Sequence, residues 1–282
     1  MMNKFNFLPL LAILVLLGCE DEYEEYNISE VPSNFTKKVI IEEFTGAWCG
    51  YCPDGAYRLD NLINSNANNI IGVSTHSGDA MEVSQTSFLE STYQNVGYPS
   101  GMVDRVSYDG YVTLNRGYWE YFSTNQLSKV VLCGLGIKSE VKGNTATVDV
   151  HAGFSSSHSG DFRLTVYLIE DEVTGVGNGF DQMNFYDTDS YSPFFDLGNP
   201  IIGYEHNHTL REVLSEPLGD PIDSSELITG GEQVNSYEVD ISSYNHDNLS
   251  IIAFINFVGS TYLEHEILNA QKCSIDGFQD WD

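Results

Sequence analysis

The sequence predicts an α/β domain over residues 38–128, followed by an antiparallel β-sandwich over residues 129–282. Two observations lead to this prediction. Up to about residue 128, short apolar runs typical of strands alternate with segments of helical periodicity. Beyond that point, segments with period-two alternation are separated by Gly, Asn and Ser turns, the pattern of a sandwich. Residues 19–282 are long enough for two such domains.

Residues 1–18 have the pattern of a signal peptide. Lys4 supplies a positive charge, and the apolar run from Phe5 to Leu17 is too short to cross a bilayer. The run ends in Leu16-Leu17-Gly18-Cys19, which resembles a lipobox and predicts lipid attachment at Cys19. An ordinary cleaved signal with an incidental cysteine is the alternative. Residues 19–37 are acidic and polar, which predicts a lipid-anchored tether.

Charge excludes one class of partner. The chain has 12 basic and 41 acidic residues and a formal net charge of −29. Phosphate contacts need clustered Lys and Arg, so a nucleic acid is not an expected partner. We expect contact with the membrane through the lipid anchor only. No cofactor is expected.

The elements of the first domain follow from the apolar periodicity. Strands are predicted at residues 39–44, 70–74, 102–106 and 108–112, and helices at residues 49–64, 84–94 and 115–126. In the second domain, strands are predicted at residues 130–139, 145–154, 163–170, 237–241 and 249–258. Residues 181–227 are rich in turns and proline, which predicts long loops.

Cys49 and Cys52 are the candidate reactive residues. Cys49 is predicted at the start of a helix, where unpaired backbone N–H groups and the helix dipole stabilise a thiolate. Cys52 lies one turn further on and could resolve a mixed disulfide formed at Cys49. A local structural disulfide and half of a zinc site are the alternatives, but no second cysteine pair accompanies the first.

Cys133 and Cys273 are the remaining cysteines once Cys19 is assigned to lipid. An even number of cysteines outside the cytosol favours pairing, so Cys133 and Cys273 are a candidate structural disulfide. Two separate buried thiols are the alternative.

Three weaker patterns lie in the second domain. His206 and His208 could share a metal ion, or simply form hydrogen bonds at a loop edge. The acidic loop residues could bind calcium, although solvated charge explains them better, and no metal is assigned. An aromatic group could recognise a glycan or protein ligand, or could pack on itself; its members are Phe180, Phe185, Tyr186, Tyr191, Phe194 and Phe195.

The segment Glu43–Pro53 resembles the active-site stretch of the thioredoxin superfamily. The resemblance implies that Trp48 shields the site and that Glu43 is a buried carboxylate with a raised pKa, which handles the proton of Cys52. It also implies that Pro99 follows a cis peptide bond and helps to dock a substrate. Gly50-Tyr51 stands between the cysteines in place of Gly-Pro, so the direction of the redox reaction does not carry over.

Three further motifs are similar to the outer-membrane protein twenty-eight family, whose lipoproteins join a thioredoxin-like domain to a β-rich one. They are Ile41–Gly46, Tyr98–Arg105 and His206–Arg211, which join Cys49–Pro53 in this resemblance. The resemblance implies an outer-membrane lipoprotein on the periplasmic face or at the cell surface. Thiol–disulfide exchange with protein thiols or disulfides is the first functional hypothesis. A surface binding or adhesion protein, with the thioredoxin fold as a scaffold, is the second.

Overall fold

A computed structural model describes residues 26–282. The predicted signal peptide, the lipidation site Cys19 and the first part of the tether lie outside the described residues. Within the described part, no helix has both the length and the apolar character needed to cross a bilayer.

The N-terminal half alternates strands and helices in the predicted order. Its elements are β1 (Val39–Thr45), α1 (Cys52–Ser65), β2 (Ile70–His76), α2 (Thr86–Thr92), β3 (Ser100–Val103), β4 (Leu114–Asn115) and α3 (Trp119–Leu127). The strand predicted at residues 108–112 is wrong. Tyr108 and Tyr111 instead bridge each other across a tight turn in which Asp109 and Gly110 have positive φ, and Leu114–Asn115 pairs with β3.

The regular elements of the C-terminal half are strands, apart from two short 3₁₀ turns, and long loops connect them. The strands are β5 (Cys133–Lys142), β6 (Thr145–Phe154), β7 (Phe162–Glu170), β8 (Thr209–Val213), β9 (Asp220–Pro221), β10 (Glu232–Asp240), β11 (Leu249–Phe257), β12 (Ile267–Ser274) and β13 (Gly277–Gln279). The sequence did not predict β12, because its buried face carries Asn269 and Gln271, which interrupt the apolar alternation. Both side chains donate hydrogen bonds to main-chain carbonyls of β5.

Two sheets form the fold, which is mixed α/β. The larger has nine strands in the order β12-β11-β7-β8-β2-β1-β3-β4, with β9 paired to β7. The smaller is antiparallel in the order β10-β6-β5-β13. The parallel pairing of Ser74 with Thr209 joins β2 to β8, so the large sheet runs across the domain boundary proposed at residue 128. The two sheets of the C-terminal half enclose one apolar core.

Strand β1 is buried along its whole length and separates two cores. Val39 and Ile41 face the core that includes Leu59 of α1. Ile40 and Phe44 face the opposite core, which includes residues of β7, β11 and β12. Because side chains alternate along a strand, Glu42 and Glu43 point to opposite sides of the sheet.

Residues 26–37 are packed against the protein, so this part of the predicted tether is not free. Ile28 and Phe35 cover Gly136 and Gly134 on the smaller sheet, where the missing side chains leave room for them. The indole N–H of Trp281 donates to the carbonyl of Ser29 over 2.8 Å. The tether prediction is therefore wrong for residues 26–37.

The predicted Cys133–Cys273 disulfide is also wrong, since both thiols are free and buried. The position of β12 on β5 explains why the two thiols do not meet. Asn269 of β12 bonds the carbonyl of Cys133, which places Cys273 four residues further along, roughly 13 Å away at the rise of a β-strand. A disulfide needs Cα atoms within about 7 Å. Burial raises the pKa of Cys133 to about 12 and that of Cys273 to about 11.

Candidate functional site

The Cys49–Cys52 pair lies in the turn that leads from β1 into α1, and the two residues form a disulfide with their Cα atoms 5.3 Å apart. The N–H of Cys49 donates to the carbonyl of Gly46, and the N–H of Cys52 donates to the carbonyl of Cys49. The helix begins at Cys52, so Cys49 precedes the first helical turn instead of starting it. Pro53 occupies the first turn, where no N–H partner is needed.

Trp48 directly precedes Cys49 and contacts Tyr98, and Pro99 lies against Gly55 in α1. The indole N–H of Trp48 donates to the carbonyl of Ser77 over 2.6 Å, and its ring meets that of Tyr98 with centroids 5.1 Å apart. About half of the Trp48 side chain is exposed. The Tyr98-Pro99 peptide bond is cis, as expected.

Glu43 lies on β1 against Gly55 of α1 and is fully buried. Neither of its carboxyl oxygens makes a hydrogen bond of ordinary geometry within the described residues, although Ser74 faces it from β2. Burial, and after it the negative charge of Asp60, raises the pKa of Glu43 well above its usual value, while the positive charge of Arg116 and the Ser74 hydroxyl oppose the shift. The direction of this pKa shift agrees with the prediction.

Gly55 holds Glu43 and Pro99 close together, a role that the sequence analysis missed. A Cβ atom on Gly55 would overlap Oε1 of Glu43 and would come within 2.8 Å of the Cβ of Pro99. Glycine in a helix costs about 1 kcal/mol relative to alanine. A glycine inside the predicted first helix was therefore an available signal of close packing.

Asp79 fixes the main chain just before the cysteines, and it too was missed. Its carboxylate accepts hydrogen bonds from the N–H groups of Ala47 and Met81, and it pairs with Nδ1 of His76 over 2.7 Å. These bonds outweigh burial and lower the pKa of Asp79. The contact joins the ends of β1 and β2, which the sequence alone does not place together.

A segment of the C-terminal half covers the cysteine turn. The N–H of Met183 donates to the carbonyl of Ala47 over 2.7 Å, and the N–H of Phe185 donates to the carbonyl of Gly50 over 2.9 Å. The ring of Phe185 fills the space above Gly50. As a result Cys49 is only 5% exposed and Cys52 only 1%. These contacts join residues more than 130 positions apart, beyond the reach of local patterns.

The aromatic group of this loop divides into two sets. Phe194 is buried against Tyr57, and the hydroxyl of Tyr186 accepts a hydrogen bond from Arg116. Phe185, Tyr191 and Phe195 are exposed. Self-packing is confirmed for the first set, and ligand recognition by the exposed set stays a prediction.

His206 and His208 do not share a site. Nε2 of His206 donates to the carbonyl of Phe180 at the base of the covering loop, and burial lowers the pKa of His206 to about 4. His208 lies between Asp60 and Asp171, whose carboxylates raise its pKa despite burial. Among the described residues no cluster of His, Cys, Asp and Glu is suited to a metal ion.

Comparison with known proteins gives the fold and the family. HBP35 of Porphyromonas gingivalis has a similar structure, with a TM-score of 0.67 and 19% identity over 86% of this chain and 76% of that one. Protein AGR_C_4864 from Agrobacterium tumefaciens has a TM-score of 0.52 and 12% identity over 84% and 94%. No curated protein matches the sequence. The model of the family described as outer membrane protein Omp28 matches residues 86–277, more than half of the chain, and the chain therefore belongs to the Omp28 outer membrane protein family.

Proposed function

We propose that this chain is an outer-membrane lipoprotein, anchored through Cys19, that exchanges thiols and disulfides through Cys49 and Cys52. One observation carries the proposal: the Cys49–Cys52 disulfide leads directly into α1, and Gly55 of that helix lies against the buried carboxyl group of Glu43, which makes no hydrogen bond of ordinary geometry within the described residues. A buried ionisable group with a strongly shifted pKa and no structural partner is typical of a reactive site. The matched family region begins at residue 86, so the redox role depends on the geometry and not on the family.

The order of β1, α1, β2, α2, β3, β4 and α3 supports a thioredoxin-like assignment for the N-terminal half. In that arrangement the cysteines follow the first strand, and the cis bond before Pro99 precedes a strand that pairs with β1. Trp48, next to Cys49 in the chain and half exposed, has the shielding role in this proposal.

The proposed reaction has two steps. In the reduced protein, the Cys49 thiolate attacks a substrate disulfide, forms a mixed disulfide and expels one substrate thiolate, which takes up a proton. The Cys52 thiolate then attacks the sulfur of Cys49, expels the second substrate thiolate and closes the Cys49–Cys52 disulfide. Glu43 takes the proton that Cys52 gives up, and Pro99 guides the substrate chain. Two electrons pass from the protein to the substrate, and the opposite direction uses the same steps reversed.

Trapping tests this proposal. In Cys52→Ser the second step is blocked, so the mixed disulfide at Cys49 should accumulate on partner proteins of the cell envelope and should dissociate on reduction. Cys49→Ser, which keeps Cys52, is the matched control and should trap nothing. The wild type should catalyse insulin reduction by dithiothreitol. Equal trapping by both variants, or no trapping and no insulin reduction, would overturn the proposal.

A specific observation favours a second candidate, a surface binding or adhesion lipoprotein with a glycan or protein ligand at the C-terminal half. The cysteines are covered, while Tyr191, Phe195 and Ile202 in the same loop region expose large apolar side chains. Exposed apolar groups of this kind are typical of interaction surfaces. Protease treatment of intact cells separates the candidates: surface exposure combined with no trapped partner supports the binding protein.

A further inference from the structure

Gln182, from the loop of the C-terminal half, reaches into the cysteine turn. It is 2% exposed, and its side-chain Nε2 lies 2.9 Å from the carbonyl oxygen of Cys49 and 3.2 Å from that of Ala47. The same nitrogen lies 3.0 Å from the carbonyl of Met183 in its own loop. One amide group therefore ties the main chain on both sides of Trp48 to the covering segment.

The turn depends on these bonds, because its carbonyls have few other donors. The carbonyl of Ala47 also accepts from the N–H of Met183, and that of Cys49 also accepts from the N–H of Cys52. All of these groups are at the buried base of the turn. Buried carbonyls that lose a donor cost free energy, so the position of Gln182 and the shape of the turn are coupled.

We infer that Gln182 is a positioning residue of the exchange reaction, which stabilises the disulfide form of Cys49 and Cys52 by holding the Ala47–Cys49 main chain in place. This inference rests on the proposed function and deepens it. Disulfide closure requires the two sulfurs to meet, and a turn that is held in the closed shape raises the effective concentration of one thiol at the other. On reduction the sulfurs separate, and the bonds from Gln182 then oppose the change.

The experiment measures the equilibrium of the full-length protein with reduced and oxidised dithiothreitol. Each dithiothreitol gives two electrons and two protons to the Cys49–Cys52 disulfide and becomes a cyclic disulfide. Gln182→Met keeps the size of the side chain but has no N–H donor. We expect its disulfide to be reduced about tenfold more readily than that of the wild type, as the loss of one or two buried hydrogen bonds implies.

Gln271→Met is the matched control, since Gln271 is an equally buried glutamine on β12. It forms hydrogen bonds with the main chain of β5 and with Lys38, away from Cys49 and Cys52. It should lower the free energy of unfolding without changing the redox equilibrium. A Gln182→Met equilibrium equal to that of the wild type, or an equal shift in Gln271→Met, would overturn the inference.

A measurement on the wild type covers the case in which Gln182→Met does not fold. In ¹⁵N-labelled protein, the side-chain amide protons of Gln182 should be protected from solvent exchange in the disulfide form and should lose protection on reduction by dithiothreitol. Unchanged protection would contradict the inference. If Gln182→Met shifts the redox equilibrium while Cys52→Ser traps no partner, the role of Gln182 in stabilising the disulfide stands and the proposed exchange function fails.

Discussion

Glu42 and Glu43 are neighbours on β1, both buried, and their surroundings are opposite. The carboxylate of Glu42 accepts two hydrogen bonds of 2.7 Å from Arg105, whose guanidinium also lies over the rings of Tyr93 and Phe254. The hydroxyl of Tyr167 on β7 lies close to both. Glu43, on the other side of the sheet, lies against Gly55 of α1, and its carboxyl oxygens make no hydrogen bond of ordinary geometry within the described residues.

The different surroundings of these two carboxyl groups indicate different roles. The bidentate bonds from Arg105 compensate the buried charge of Glu42, and the pair joins β1 to the strands of the C-terminal half. A buried carboxyl without a charged partner costs stability when it is ionised, so its proton is held more tightly. We therefore infer that Glu42 serves the assembly of the two halves and Glu43 the proposed reaction.

The largest expected effect comes from breaking the Glu42–Arg105 pair. Arg105→Met leaves the Glu42 carboxylate buried without a partner, which should lower the free energy of unfolding by about 3–5 kcal/mol. Urea unfolding followed by circular dichroism measures the loss. Arg58→Met is the control, because the Arg58–Asp54 pair is largely exposed and should contribute less than about 1 kcal/mol.

Combining Arg105→Met with Glu42→Gln sharpens the test. When both charges are removed no unpaired ion remains, so the double variant should be more stable than Arg105→Met alone. If the free energy of unfolding of the double variant falls by the full sum of the two single losses, Glu42 and Arg105 are not coupled, and the assignment of Glu42 would fail.

The same contrast shows what the sequence could predict. The role of Glu43 depends on alternation along one strand and on its distance from Cys49, both of which are local, and its burial and raised pKa agree with the prediction. The Glu42–Arg105 pair was not predicted. It depends on Asp104 and Arg105, both with positive φ, turning the Arg105 side chain back across the sheet.

Contacts between the halves explain the other differences. The prediction of a Cys133–Cys273 disulfide failed because Asn269 and Gln271 fix where β12 lies on β5 of the other sheet, and their hydrogen bonds leave no mark in the local pattern. The covering segment at Gln182 was predicted only as a long loop. Most elements with a regular apolar pattern were found from the sequence, whereas β8, β12 and the polar contacts between distant segments were not.

The second prediction concerns the pH dependence of stability. Below its usual pKa of 4.5, Glu43 is protonated in both the folded and the unfolded chain. Between that value and its higher folded pKa, the unfolded chain ionises first, so stability falls by about 1.4 kcal/mol per pH unit. Gln cannot ionise, and the stability of Glu43→Gln relative to the wild type should therefore increase as the pH rises from 4.5.

Glu42→Gln is the matched control for this measurement. It removes the charged partner of Arg105, so its stability relative to the wild type should be reduced at neutral pH. Urea unfolding at several pH values compares the two variants. If Glu43→Gln shows no pH-dependent difference from the wild type, the carboxyl group is not held in its neutral form.

The smallest expected effect is at Gly55. A methyl group there overlaps the Glu43 carboxyl and presses on Pro99, and such overpacking costs about 1–3 kcal/mol. Alanine recovers about 1 kcal/mol of helix propensity, so Gly55→Ala should lower the free energy of unfolding by about 1 kcal/mol. Gly97→Ala is the control, because no atom lies within 4 Å of a Cβ at that position, and it should be neutral.

The cause of the Gly55 effect can be separated from a general loss of packing by a second substitution. Glu43→Ala removes the carboxyl group that the new methyl would meet, so Gly55→Ala should cost less in the Glu43→Ala background than in the wild type. Substitutions at two residues in contact commonly deviate from additivity by about 0.5 kcal/mol or more, a difference that urea unfolding can resolve. Strict additivity would mean that Gly55 and Glu43 are not in contact, and the placement of the carboxyl group against α1 would then be wrong.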